Sequence, residues 1–453
     1  MNGMVHLIKG RVFDGTGSAP LEHGVVAVDK DTIAWIGPEA QLPERYRDPD
    51  ARVLGGDGRT VMPGMIDGHI HVSFGEARSE EELALYTPVE YRSIKAIWNA
   101  RKVLRAGVTS AFDAATTYNI AASVRDAIEA GMYEGPRLAV CGPQITSHQG
   151  LEDSFPSSMQ FPPGQAGVLA KGRDEIIELI RLQVKNGVDC IKVSGSSDLA
   201  IANAPVGGAA FTADEFNLIA AEAHRLERTC TVHARSGEAT RLAAAAGFDW
   251  IMHASFIDEE GIELCLKNNI AIVPTLTLLA NILESAQGEA GASIIDEFRH
   301  EYESACINLR KAYDAGVPLI CGSESGWSLV PYGDWHAREL EIFVNDIGLT
   351  PLQALHAATG AAARLLPQWR DRIGTLAEGK LADILVVDGD PTADVTLLQR
   401  PQNIVSVMKG GSLVDIETPI PDRRVWSFEK HRTFLPGWFK YDSRAGRGYL
   451  KTH

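Results

Sequence analysis

Short apolar segments alternate with amphipathic segments through the middle of the chain. The amphipathic segments, such as residues 174–186 and 212–228, place apolar side chains three and four positions apart, which is the period of a helix. Eight apolar segments have the length and composition of buried strands: residues 65–73, 109–114, 137–145, 190–194, 229–234, 250–254, 271–276 and 318–322. This alternation predicts an α/β fold, a distorted TIM (β/α)8 barrel, with a doubly wound open sheet as the alternative.

The two ends of the chain show short β-type segments separated by turns. These segments lie at residues 6–13, 24–36, 382–387 and 404–408. We therefore predict a small β-sandwich domain formed by both termini, from residues 1–62 and 369–418, beside a barrel domain of residues 63–368.

The last residues, 419–453, combine basic and aromatic side chains. On an acidic protein this mixture predicts an arm that packs over its own barrel or over a neighbouring subunit. Nucleic-acid binding is the alternative for such a segment.

Composition and charge narrow the class of protein. The 453 residues carry a formal net charge of −16, with 45% hydrophobic and 23% charged residues, as in ordinary soluble globular proteins. The negative charge argues against a nucleic-acid or membrane partner. The sequence has neither an apolar run near the roughly 20 residues that span a bilayer nor a secretory leader pattern. Six scattered cysteines without a C-x-x-C pair predict a reduced, cytoplasmic protein.

Two histidines on the first barrel strand are the first candidates for chemistry. His69 and His71 are two positions apart, so their side chains share a face of the strand and can ligate one divalent cation. An H-x-H pair of this kind is also common among surface and core histidines.

Lys192 lies within an apolar strand segment, where burial lowers the pKa of an amine. A neutral amine can capture CO2 and become a carbamate that bridges two metal ions. An ion-paired lysine is the alternative.

Other candidate ligands follow later strands. His233 and His253 end the fifth and sixth predicted strands, and Glu324 follows the eighth. Active sites of TIM barrels lie at the carboxyl ends of the strands, so we expect these residues to converge with His69, His71 and Lys192.

With these residues in place, the sequence resembles the amidohydrolase superfamily, in its imidazolonepropionase-like and Xaa-Pro-dipeptidase-like branch of binuclear metal hydrolases. The resemblance extends to about Gly411 and includes these segments: VMPGMIDGHIH at 61–71, EGPR at 134–137, IVPT at 272–275, RELE at 338–341, TPLQALHAAT at 350–359 and IGTLAEGKLADI at 373–384.

The resemblance implies a set of metal ligands. His69 and His71 would hold the first of two divalent ions, His233 and His253 the second, and carboxylated Lys192 would bridge both. The family expects an aspartate after the eighth strand, whereas this chain has Glu324, whose carboxylate stands on one extra methylene. The ions implied are zinc, with manganese or cobalt as alternatives.

The implied reaction is the hydrolysis of a C–N bond in a small-molecule amide, dipeptide, carbamate or urea by a metal-activated hydroxide. Glu324 would pass the proton of the attacking water to the leaving nitrogen. The alternatives are a deaminase of the same superfamily and a catalytically silent barrel that serves as a binding module. The resemblance also implies a homo-oligomer.

Candidate substrate-binding residues lie in the segments that follow the strands. We expect contacts from Tyr118 after the second strand, from His148 after the third and from Tyr332 after the eighth. For Tyr332 the alternative is that it only covers the rim of the barrel. Arg235 directly follows His233 and could pair with a substrate carboxylate, with a structural salt bridge as the alternative.

Overall fold

Strands build both ends of the protein, and strands alternate with helices between them. The computed structural model describes residues 6–47, 50–148, 150–199, 207–285 and 292–420, together with the backbone of residues 439–441 and 450–452. The strands are β1 His6–Val12, β2 Leu21–Asp29, β3 Thr32–Pro38, β4 Arg52–Pro63, β5 Met65–Ile70, β6 Val108–Asp113, β7 Arg137–Val140, β8 Gln144–Thr146, β9 Gly167–Leu169, β10 Cys190–Ser194, β11 Thr229–Ala234, β12 Trp250–His253, β13 Ala271–Val273, β14 Ile384–Asp388, β15 Ile404–Lys409, β16 Ser412–Leu413, β17 Phe439–Tyr441 and β18 Leu450–Thr452.

The helices lie between and after the central strands. They are α1 Val89–Arg105, α2 Ile120–Glu129, α3 Arg173–Lys185, α4 Ala213–Arg225, α5 Gly237–Ala246, α6 Glu259–Lys267, α7 Leu276–Ser285, α8 Ala292–Ala315, α9 Arg338–Asn345 and α10 Pro351–Ala357. In the described part of the chain, none of them is both long and apolar enough to cross a membrane.

Strands from both ends of the chain share one seven-stranded sheet, in the order β16-β15-β14-β4-β1-β2-β3. Its central strand β4 pairs parallel with β1 and antiparallel with β14. The sequence pattern does not predict β4, because Gly55, Gly56 and Gly58 interrupt its apolar positions. The described strands of this region form a single sheet, so a β-sandwich stays a prediction.

The central strands form two parallel sheets, β13-β12-β11-β10-β8-β9 and β5-β6-β7. A bridge between Cys141 and Cys190 links the two sheets. The segment before Glu324 hydrogen-bonds on both sides, since the Ile320 amide donates to Ile272 and the Gly68 amide donates to Cys321. These parallel strands with outer helices make a TIM-barrel-like α/β fold.

Three of the eight predicted central strands are divided, shortened or reduced to a bridge beside a proline. The third, at 137–145, is divided into β7 and β8 at Gly142 and Pro143. The seventh ends before Pro274, and α7 begins two residues later. The eighth forms only an isolated bridge at Leu319, beside Pro318. Because proline has no backbone N–H, it cannot donate to a ladder of strand hydrogen bonds.

Helix ends follow the signals in the sequence. Thr212 caps α4, where its side chain accepts from the Glu215 amide and the Glu215 carboxylate accepts from the Thr212 amide. Gly107, Gly187 and Gly316 all have positive φ, as predicted for the turns that end helices before the next strand.

An apolar layer fills the space between the parallel strands. Phe112 and Trp250 meet edge to face with ring centroids 5.2 Å apart, in a cluster with Met252, Val273 and Ile320. The polar residues discussed next lie toward the carboxyl ends of these strands, beyond this layer.

Most of the predicted arm at 419–453 lies outside the described residues. The two strands β17 and β18, which belong to it, pair antiparallel with each other.

Candidate active site

Two histidines leave β5 side by side. His69 and His71 are both buried, and their Nε2 atoms are 3.1 Å apart. Their rings meet edge to face, with centroids 4.9 Å apart. Two ring nitrogens that converge in this way can ligate one cation.

Two further histidines come from neighbouring parallel strands, β11 and β12. The ring centroids of His233 and His253 are 4.4 Å apart, and those of His253 and His69 are 5.5 Å apart. The structure therefore brings all four predicted histidines into one buried cluster.

The backbone at the end of β12 turns His253 into this cluster. Trp250 and Met252 face the interior, so strict alternation would place the next side chain on the opposite face of the strand. His253 and Ala254 instead have φ values of 72° and 53°, which break the alternation. Positive φ at a non-glycine residue costs of order 1–3 kcal/mol, so the surrounding structure must hold it in place.

Hydrogen bonds to Nδ1 orient two of the rings. The Nδ1–H of His71 donates to the carbonyl of Ala115 at 3.0 Å. The Nδ1–H of His253 donates to Thr275 Oγ1 at 2.5 Å, since that hydroxyl group donates to the carbonyl of Pro274. Such bonds fix the tautomer and leave the Nε2 lone pair for a ligand-binding role.

Burial lowers the pKa of all four histidines, and lowers that of His71 to about 3. At neutral pH the imidazoles are therefore uncharged. The uncharged imidazole is the form that binds metal ions.

Four atoms of the cluster lack a hydrogen-bond partner among the described residues, although all are buried. They are His69 Nδ1, His233 Nε2, His253 Nε2 and Glu324 Oε2. Buried polar atoms without a partner are rare in folded proteins and call for an explanation. Imidazole nitrogens and a carboxylate oxygen are also the donor atoms that divalent zinc binds, so the residues present fit a metal site.

Lys192 faces the same cluster from β10. Its side chain is buried, and burial lowers the pKa of its amine to about 8. Its charge contributes to lowering the pKa of each of the four histidines, which places it within electrostatic range of all of them.

Glu324 completes the group from the segment after Ser323. Its carboxylate and the ring nitrogens of His69 and His71 offer ligand atoms that all lie within 4.8 Å of one another. The Glu324 amide donates to the carbonyl of His69 at 2.7 Å, and the residue has a φ of 59°. Burial raises the pKa of its carboxyl group to about 7, while the nearby Arg235 opposes that shift.

Asp67 supports the site, and sequence reasoning did not single it out. Its Oδ1 accepts from the amides of His69 and Ser323, each at 3.0 Å. Its Oδ2 accepts from Ser323 Oγ at 2.6 Å and from His336 Nδ1 at 2.7 Å. One buried carboxylate thus ties the segment of His69 to the segment of Glu324. The position of Asp67 two residues before the H-x-H pair was the available signal.

Arg235 and Tyr332, two predicted substrate contacts, are engaged with the protein. Arg235 is buried and pairs with Asp198 and Glu301, each at 2.7 Å. The Tyr332 hydroxyl donates to the carbonyl of His71 and accepts from the amide of Gly75. Arg235 therefore forms a structural salt bridge, and Tyr332 positions the segment of His71. Contact of either residue with a substrate stays a prediction.

Tyr118 and His148 lie further out. Tyr118 follows β6 and is 38% exposed, and the exposed His148 pairs with Asp153 at 3.1 Å. Within the described part of the chain, neither hydrogen-bonds to the six converging residues. Their substrate contacts also stay predictions.

The same six residues lie within a match to a known protein family. Residues 60–414 match the sequence profile of the amidohydrolase family. The chain belongs to this amidohydrolase family.

Two similar proteins are hydrolases whose names are consistent with that family. Ochratoxinase of Aspergillus niger is 28% identical over 430 residues, which is 90% of this chain and 86% of the relative. Imidazolonepropionase of Streptomyces avermitilis is 24% identical over 404 residues, 86% of each chain.

Solved structures are similar over the same extent. The crystal structure of A. niger ochratoxinase has a TM-score of 0.81 at 26% identity, covering 91% of this chain and 96% of that one. A Xaa-Pro dipeptidase with methionine bound in its active site has a TM-score of 0.79 at 25% identity, covering 90% and 99%. Family and relatives together identify the protein as a hydrolase acting on carbon–nitrogen bonds.

The hydrogen bond between Thr275 and His253 gives a prediction for this amidohydrolase. Thr275→Val keeps the β-branched shape but removes the acceptor of the Nδ1–H. We expect divalent-ion affinity to fall about 10- to 100-fold, measured by competition with a chelating dye. Thr229→Val, at the opposite end of β11, is the control and should bind as the unaltered protein does. Equal affinity of Thr275→Val and the control would contradict the orienting role.

Proposed function

We propose that this amidohydrolase hydrolyses the amide-type C–N bond of a small molecule at a centre of two divalent ions. His69 and His71 would hold the first ion, and His233 and His253 the second. Carboxylated Lys192 would contact both ions, and Glu324 would complete the first site. Two observations carry this proposal: the Nε2 atoms of His69 and His71 converge to 3.1 Å, and the buried atoms His233 Nε2, His253 Nε2 and Glu324 Oε2 have no hydrogen-bond partner among the described residues. Divalent ions would satisfy these atoms.

Divalent ions held by these residues would supply a lowered pKa for water and a polarised amide carbonyl. The proton transfers then belong to the chain. The Glu324 carboxylate can accept the proton of the attacking water and later donate it to the leaving nitrogen. It is the only carboxylate among the six converging residues.

Carboxylation of Lys192 follows from the state of its amine. With a pKa of about 8, an appreciable fraction of the amine is neutral at pH 7. The neutral nitrogen adds to the carbon of CO2, and one proton leaves as the carbamate forms. The product exchanges a buried positive charge for an anion beside the proposed ions.

The names of the relatives support the class of substrate. Ochratoxinase, imidazolonepropionase and a Xaa-Pro dipeptidase all take small molecules. We propose an amide or dipeptide for this chain, with zinc as the resident metal and manganese or cobalt as the alternatives. The contacts proposed for the substrate are those of Tyr118, His148, Arg235 and Tyr332.

The finer architecture belongs to the same proposal. We propose that the parallel strands close into a distorted (β/α)8 barrel within residues 63–368, with residues 1–62 and 369–418 forming the β-sandwich. We also propose a cytoplasmic homo-oligomer, for which light scattering is the test.

Elemental analysis tests the metal centre. Protein purified in the presence of zinc should carry close to two equivalents of the ion and hydrolyse members of a panel of N-acyl amino acids, dipeptides and carbamates. Protein without bound metal would contradict the proposal and favour the catalytically silent barrel.

Lys192 gives a sharper test of the bridge. Lys192→Ala should lose at least one of the two equivalents and most of the activity, because the proposed bridging carbamate cannot form. Short-chain carboxylic acids should partly restore both. Lys171→Ala, which removes an exposed lysine, is the control. Full metal content in Lys192→Ala would show that the bridge is assigned wrongly.

Glu324 can be tested by two substitutions. Glu324→Gln keeps the side-chain length but cannot carry the proton, so kcat should fall at least about 100-fold. Glu324→Asp restores the residue expected in the family and should preserve or improve hydrolysis. Glu378→Gln, on the surface, is the control for loss of one charge. Total loss of activity in Glu324→Asp would mean that the site is built around the longer side chain.

A further inference from the structure

A group of buried hydrogen-bond acceptors lies beside Lys192, outside the proposed metal centre. It consists of Gln144 on β8, Glu152 and Gln165 in the segment that follows, and Glu80 in the segment after β5. We call these four residues the acceptor group. Gln144, Glu152 and Gln165 are at most 6% exposed.

Hydrogen bonds hold the acceptor group together. Gln144 Nε2 donates to Glu152 Oε1. Gln165 Nε2 donates to Glu80 Oε2 at 3.1 Å and to the carbonyl of Glu152 at 3.0 Å. Both amide NH2 groups are therefore used inside the group, and their orientation is fixed.

Three acceptor atoms of the group have no partner among the described residues. They are Gln144 Oε1, Glu152 Oε2 and Gln165 Oε1, all buried. Leaving a buried acceptor unsatisfied costs about 1–3 kcal/mol. The two amide oxygens can only accept a hydrogen bond, and Glu152 Oε2 also accepts when its carboxyl group is ionised, so a donor group can satisfy all three.

Arg235, the nearby arginine, does not donate to these three acceptors. Arg235 pairs with Asp198 and Glu301, each at 2.7 Å. In the described part of the chain, neither Glu80 nor Glu152 forms a salt bridge. Burial raises the pKa of the Glu152 carboxyl group to about 7, and the charge of Lys192 opposes that shift.

The acceptor group adjoins the centre of the site. Ile145 on β8 pairs with Val193 on β10, so Gln144 and Lys192 lie side by side on the same face of the sheet. Because Gln144 hydrogen-bonds to Glu152, Glu152 also lies close to Lys192. A substrate whose carbonyl lies near Lys192 therefore has the acceptor group within reach of its next few atoms.

We infer that the acceptor group binds a primary ammonium group of the substrate, close to the amide that is cleaved. An ammonium group carries three N–H donors and no acceptor, which matches the three unsatisfied acceptors. Burial and the neighbouring Glu152 raise the pKa of the Glu80 carboxyl group well above its ordinary value, so Glu152 is the group member that supplies negative charge. The inference rests on the proposed function and adds the substrate class, namely amides that carry an amine. That amine is either the α-ammonium of a dipeptide or the side-chain ammonium of a lysine-like residue.

Binding measurements test this without requiring catalysis. Calorimetry of the zinc-loaded protein compares methionine with N-acetylmethionine, and Nα-acetyllysine with Nα-acetylnorleucine. The ammonium member of at least one pair should bind about tenfold tighter or more, which is about 1.4 kcal/mol. The first pair reports an α-ammonium and the second a side-chain ammonium. If both pairs show equal affinity, or preference for the neutral member, the inference is wrong.

Variants locate the effect. Glu152→Gln should abolish the preference within the pair that shows it, and Glu178→Gln, an exposed residue of α3, should leave it unchanged. If Glu152→Gln does not fold, as judged by its melting transition, Glu80→Gln replaces it with the same expectation. A preference that persists in the folded variant would overturn the assignment to this group. The assignment would also be overturned if the unaltered protein bound a third equivalent of metal and the folded variant did not. The group would then bind a metal cation.

Failure of the inference can be told apart from failure of the proposed function. If the metal centre is absent, elemental analysis of the unaltered protein finds no metal, whatever the ligands show. If only the acceptor group is misassigned, the protein hydrolyses N-acylated amides as well as free dipeptides and still holds two equivalents.

Discussion

The carboxyl ends of parallel strands bring polar side chains from distant parts of the chain into one apolar interior, and the rest of the site follows from that constraint. Four imidazoles, an amine and a carboxylate share this space, each largely excluded from water. Several of their atoms lack partners within the described residues. At about 1–3 kcal/mol for each such atom, the arrangement is costly unless cations satisfy it.

The surrounding structure keeps these side chains in place. Asp67 joins the backbone of His69 to that of Ser323, and Thr275 fixes the ring of His253. Positive φ values at His253, Thr275 and Glu324 show that the backbone is held in strained conformations where the side chains converge. The apolar layer around Phe112 and Trp250 supports them from below and excludes water.

The sequence predicts the direction of a side chain best where the residue lies on a regular strand, because alternation then decides which face the side chain occupies. Strands β10 and β11 lie at the predicted residues, so Lys192 and His233 face the interior as expected. Proline and backbone geometry decided the rest. The segment after Pro318 bridges its neighbours without forming a regular strand, and the reorientation of His253 by positive φ has no signature in the pattern of apolar residues. The role of Asp67 depends on contacts with Ser323 and His336, more than 250 positions away, which local periodicity cannot show.

Lys192 lies between the two groups of buried polar side chains. It faces the histidines on one side and the acceptor group on the other, so its charge contributes to the pKa values of the four histidines and of Glu152. Anomalous X-ray diffraction from crystals grown with zinc measures this arrangement directly. We expect two peaks, one in contact with the Nε2 atoms of His69 and His71 and one in contact with those of His233 and His253, with density for a carboxylated Lys192 between them. Zinc bound instead at the other candidate cluster, His224, Cys230 and Asp249, with no peak among the buried histidines, would contradict it.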